Sequence, residues 1–113
     1  EMLSSMKVSV IAGAANNQLQ DEEKHGLLVK EKGIVYAPDF VINAGGLINV
    51  YAEYQGNYNM KNAMDKAENI YNVILQVLQN SATDGTTSLQ AAKNLAEQRI
   101  KEMSALKLPF TRC

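Results

Sequence analysis

Two short runs rich in β-branched residues, "KVSVIAG" at 7–13 and "IVYAPDFVIN" at 34–43, read as strands. One helix-length segment separates them, and the sequence that follows is helical in pattern. This order limits the fold more than any other feature. Two strands joined through a helix pair naturally as parallel neighbours, because the helix carries the chain back to the end of the sheet where the first strand began. The expected fold class is therefore α/β, a βαβ unit of parallel strands with helical cover.

The remaining elements follow from period and punctuation. The polar segment "NNQLQDEEKHG" reads as surface, with "QDEEKHG" as a surface loop and Asp21, Glu22, Glu23 and Lys24 as a solvated face. "GLLVKEKG" predicts a short helix ended by Gly33. Pro38 has no N–H, so the second strand is expected to bend or leave the sheet near it. "GGLINVYAEYQG" predicts a helix that starts at two glycines and stops near Gly56. In 60–78, Ala63, Met64, Ala67, Ile70, Tyr71, Ile74, Val77 and Leu78 recur at helical spacing on one face. "TDG" at 83–85 ends that helix, with Gly85 suited to a left-handed cap. "TSLQ" at 87–90 has the form of a capping box, and Leu89, Ala92, Leu95, Ala96, Ile100 and Met103 stripe the last helix.

Composition serves mainly to exclude. A chain of 113 residues with a formal charge of -1 has no basic footprint for nucleic acid or an anionic membrane. No apolar run approaches a bilayer span, and the acidic start does not read as a signal peptide. Cys113 is the single cysteine, which rules out an internal disulfide or a cysteine cluster and makes a cytoplasmic setting the expectation.

Chemistry is expected where the two strand-like runs end. "AANN" follows the first and "NAGG" the second, so parallel strands would bring Asn16, Asn17 and Asn43 to one edge. A carboxamide both donates and accepts and does not titrate, so it can hold a polar ligand without adding charge. Gly45 and Gly46 permit close approach, and the N–H groups of a helix start favour a polar or anionic ligand. Asn and Gly are also ordinary turn residues, and on residue chemistry alone both readings stay open. The other candidates read blandly. His25 is a solvated helix-start residue. Tyr51, Tyr54, Tyr58 and Tyr71 read as packing residues, since no basic patch accompanies them. Met60, Met64 and Met103 suit helix interiors.

Taken together, "VIAGAANNQL", "GIVYAPDFVINAGGLINV" and "AAKNLAEQRI" resemble the C-terminal portion of the leucine-acting members of the glutamate/leucine/phenylalanine/valine dehydrogenase family. The resemblance spans nearly the whole chain and is most specific over 8–53. It implies a fragment of an NAD-dependent branched-chain L-amino-acid dehydrogenase. Such an enzyme deaminates L-leucine, L-valine or L-isoleucine to the 2-oxo acid and ammonia, reversibly, and is a homo-oligomer when whole. Residues 1–113 would be the second half of a Rossmann-type NAD-binding domain followed by C-terminal helices. By the same resemblance Asn17 contacts the substrate, and Ala15 and Asn16 lie against the nicotinamide riboside. Asn43 lies at the nicotinamide end of the cleft, and Leu47 and Val50 line the side-chain pocket.

What is missing bounds that expectation. No G-x-G-x-x-G follows a strand, and no acidic ribose ligand lies about twenty residues beyond one. The family's catalytic lysine and aspartate match no residue here, so no catalytic residue is expected in the chain. The substrate domain and the phosphate-binding loop are expected to lie outside it, in the remainder of the same polypeptide. The chain alone would then be inactive. A noncatalytic interaction or assembly module is the alternative.

Overall fold

The computed structural model describes residues 2–105; Cys113 lies outside the described residues. In chain order the elements are α1 (Met2–Ser5), β1 (Val10–Ile11), α2 (Glu22–Glu31), β2 (Val35–Tyr36), α3 (Asp39–Ile42), α4 (Gly45–Tyr54), α5 (Met60–Glu68), α6 (Ile70–Asp84) and α7 (Ser88–Ala105).

β1 and β2 pair in parallel, with Val10 opposite Val35 and Ile11 opposite Tyr36. Their orientation follows the expectation from the helical connection. Their length does not, since each holds two residues where longer runs were expected. The second run ends for a visible reason. Ala37 donates its N–H to the Ile11 carbonyl at 3.0 Å, and then Pro38 has none to give. Pro38, at φ -56, becomes the N-cap of α3, so 39–42 is helical rather than extended.

The segment expected as a surface loop is also helical. Asp21 caps α2 by accepting from Lys24 N–H at 2.9 Å, and Glu22 and Glu23 occupy the first turn, where the helix dipole favours acids. The helix therefore starts well before the predicted "GLLVKEKG". His25 lies in its first turns, where its Nδ1 accepts from the Asp21 N–H at 3.2 Å. Gly33, at φ +69, ends the helix in left-handed conformation, as predicted, while Gly33 and Ile34 donate back to the Lys30 and Val29 carbonyls.

Two buried clusters hold the chain together. Leu19, Val29, Ile34 and Tyr36 join α2 to the sheet, with Leu3 and Ile11 packed against them. Val77, Ala91 and Ala92 form the second, with Val41 and Leu95 alongside. Alanines at the α6–α7 contact let the helices approach closely around Val77, which is fully buried.

The long helical region departs from its predicted stripes in detail. Asn69 interrupts 60–78 as the C-cap of α5 and the position before α6. Its side chain accepts from Asn72 Nδ2, a local bond of the kind that competes with helical geometry. Ala63 and Val77 are buried, and Ile70, Ile74 and Leu78 half-buried. Met64 and Tyr71 face out, as do Ala96, Ile100 and Met103 at the far end of α7. Tyr51, Tyr54, Tyr58 and Met60 are exposed too, so within the described elements these tyrosines and methionines do not pack as expected. Of the expected capping box, Thr87 Oγ1 accepts from Gln90 N–H at 3.1 Å, but the Gln90 side chain turns to Asn94.

Gly85 caps α6 at φ +65, and a Cβ there would meet no atom within 4 Å. Space is therefore not the constraint; the left-handed backbone is. Gly85→Ala is expected to cost about 1 kcal/mol, read as a lowered urea midpoint with unchanged slope.

Candidate functional site

Because β1 and β2 run in parallel, both chains leave the sheet at the same end. The two amide-rich stretches therefore sit side by side. Asn43 Nδ2 donates to Asn16 Oδ1, which ties the loop after β1 to the end of α3. Asn17, the next residue, has φ 55 and is the only non-glycine among the described residues with positive φ. Asparagine tolerates this region better than other side chains, and non-glycine residues held there concentrate at binding and catalytic sites. Ala15, Asn16 and Asn17 are exposed, and Asn43 is half-buried.

The loop carrying Asn16 and Asn17 is closed on itself. Gln18 Nε2 donates to the Gly13 carbonyl at 2.7 Å. A Cβ on Gly13 would lie 2.9 Å from that nitrogen, so the absence of a side chain lets the amide fit. The same residue reaches the neighbouring stretch, with the Gln18 N–H directed at Asp39 Oδ2 at 3.4 Å.

Asp39 is the charged residue that sequence reasoning missed. It is buried to 7 % exposure, and its other oxygen accepts from Phe40 N–H at 2.8 Å. Buried carboxylates need hydrogen-bond donors, and here they come from backbone N–H groups. The signal available in the sequence was an acid directly after proline at the end of an apolar run. Beneath it, Tyr36 is pushed above the ordinary phenol range by burial, and the Asp39 charge adds to this. Its hydroxyl stays protonated throughout the neutral range.

α4 begins two residues after Asn43, and no side chain caps its first turn. A Cβ on Gly45 or Gly46 would meet nothing within 4 Å, so both stand at open space. Leu47 and Val50 lie three apart on α4, hence on one side, and are 74 % and 59 % exposed. The structure thus joins Asn16 to Asn43 directly. Leu47 and Val50 lie on the exposed side of α4. Among the described residues no cluster of His, Cys, Asp and Glu has a metal-binding arrangement, and no helix is long and apolar enough to cross a membrane.

Residues 1–107 match the profile of the Glutamate/Leucine/Phenylalanine/Valine dehydrogenase family. The chain belongs to this family. It is 51% identical over 110 residues to the leucine dehydrogenase of Thermoactinomyces intermedius. It is 48% identical over 95 residues to the L-tryptophan dehydrogenase of Nostoc punctiforme, and 46% identical over 101 residues to the phenylalanine dehydrogenase of Bacillus thermotolerans. These alignments cover 97%, 84% and 89% of the chain. A crystal structure of the L-tryptophan dehydrogenase superposes with a TM-score of 0.85 at 44% identity, over 91% of this chain and 30% of that one. The chain spans 30%, 27% and 26% of the length of these relatives. Members of the dehydrogenase family named for leucine, tryptophan and phenylalanine are similar to it at closely comparable identity, so identity alone does not select a substrate.

Proposed function

We propose that the chain is part of an NAD-dependent L-amino-acid dehydrogenase acting on leucine, valine or isoleucine. In this reading it forms the later half of a Rossmann-type cofactor domain with its C-terminal helices, and the remainder of the polypeptide supplies the catalytic lysine and aspartate. The observation that carries the proposal is the Asn16–Asn43 hydrogen bond across the two strand ends, with Asn17 held left-handed beside it.

That edge suits the nicotinamide riboside of NAD, since it offers neutral donors and acceptors, an uncapped helix start and two glycines facing open space. NAD, when bound, would supply the acceptor for a hydride from the amino-acid α-carbon. Ala15, Asn16 and Asn43 would hold its nicotinamide end. Asn17 would orient the substrate so that the α-hydrogen faces the cofactor, and orientation of this kind lowers barriers without any proton transfer. The overall reaction would consume water and release ammonia and the 2-oxo acid, and its proton transfers would fall to the remainder of the polypeptide.

Leu47 and Val50 support an aliphatic substrate. A substrate carboxylate beside them would be desolvated without a partner, whereas each buried methylene gains about 0.8 kcal/mol. The test follows NADH absorbance in the full polypeptide with leucine, valine, tryptophan, phenylalanine and glutamate. Leucine or valine is expected to be preferred. Val50→Ser is expected to lower kcat/KM for leucine by about 10-fold, the effect of one altered apolar contact, with glutamate activity little raised. Absence of NADH formation with every amino acid would remove the function. A leucine preference unmoved in the folded variant would remove Val50 from the pocket.

A further inference from the structure

Asp39 is buried, charged, and used by none of the roles assigned above. Its surroundings define what it does. One oxygen accepts from Phe40 N–H at the start of α3, and the other faces Gln18 N–H in the loop after β1. Gln18 in turn closes its own loop through Nε2 and the Gly13 carbonyl. Between Gly13 and Gln18 lie Ala15, Asn16 and Asn17, the whole candidate edge contributed by that loop. The loop is thus anchored at its base by Gln18 and Asp39 and at its tip by Asn16 and Asn43.

We infer that Asp39 and Gln18 form a two-residue clamp that positions the Asn16–Asn17 tip for catalysis without touching substrate or cofactor. A left-handed asparagine is tolerated better than other side chains, yet it still carries a backbone cost that its surroundings offset. The base anchor supplies that offset. The Gly13–Gln18 bond fixes the width of the loop, and the Asp39 carboxylate draws the Gln18 N–H toward the second strand end. The inference rests on the reading of Asn17 as a substrate contact and deepens it.

The experiment uses the full polypeptide and three variants, Asp39→Ala, Asp39→Asn and Gln18→Ala, with Asn17→Gly as reference. Each is assayed well below its melting temperature, and rates are expressed per folded enzyme. Asp39→Ala is expected to lower kcat about 10-fold or more, since misplaced positioning groups act on turnover. Its KM for NAD should change less than kcat. Asp39→Asn keeps one acceptor oxygen for two N–H donors and should recover part of the loss. Gln18→Ala leaves the Gln18 N–H in place, so kcat should fall with little change in melting temperature. Combined with Asp39→Ala it should cost less than the product of the two single effects, because one clamp is broken only once. A purely structural Asp39 would lower the melting temperature while kcat per folded enzyme stayed at the wild-type value, and that result would overturn the inference. If Asn17→Gly itself leaves kcat unchanged, the fault lies in the assignment of Asn17. If Asn17→Gly impairs turnover and the clamp variants do not, the clamp alone is refuted.

Discussion

Replacing Asn17 by glycine in the full polypeptide is expected to lower kcat/KM for the amino-acid substrate by roughly 100-fold, the scale seen when one preorganised hydrogen-bonding group is removed. Stability should stay within about 1 kcal/mol of wild type. Glycine is the informative choice because Asn17 sits at φ 55. Alanine would confound two effects, the lost amide and a strained left-handed backbone, whereas glycine adopts that region freely. The side chain is exposed, so its removal leaves neither a cavity nor a buried orphan. Steady-state kinetics and thermal melts on the same samples separate the roles. Unchanged kinetics would return the asparagine to the status of a turn residue.

The second large effect lies in the core. Val77 has no exposed surface and packs between α6 and α7 against Ala91 and Ala92. Val77→Asp is expected to destabilise the protein by about 3–5 kcal/mol, because the carboxylate would be buried without a partner. The pH dependence has a definite sign. Burial raises the folded-state pKa of the introduced acid above its unfolded value, so the penalty is smallest below the unfolded pKa of about 3.9 and grows as pH rises past it. Urea titrations at acid and neutral pH would measure this. A loss below about 1 kcal/mol at neutral pH would mean that the position is wetter than its packing implies.

The helices were read from sequence where a local signal ended or started them. Gly33 and Gly85 stand at positive φ at the ends of α2 and α6, and Thr87 accepts the bond expected of a cap. Asp21 also caps a helix, but its segment is so polar that periodicity was silent over it. The cap itself was the available sign. The exposed tyrosines show the opposite failure. Helical spacing states which residues share a face, and only neighbouring elements decide whether that face is covered. Tyr54, at 86 % exposure, has the spacing of a packing residue and no described partner.

For the candidate edge, Asn16, Asn17 and Asn43 were identifiable as residues at two strand ends. That Asn43 bonds to Asn16, and that Asn17 alone among described non-glycines is left-handed, depended on the register Val10–Val35 and on Pro38 ending the second strand. Asp39 was legible only as an acid after a proline. By itself, the sequence determined the parallel sense of the strands, because a helical connection leaves no short way to reverse, and the neutral chemistry of the edge, because no titrating residue lies in "AANN" or "NAGG". Tertiary structure alone decided that a carboxylate would be buried beneath that edge. Burial arises where α3 and the loop after β1 close over the same point, and residues 21 positions apart in sequence carry no local signal that they meet.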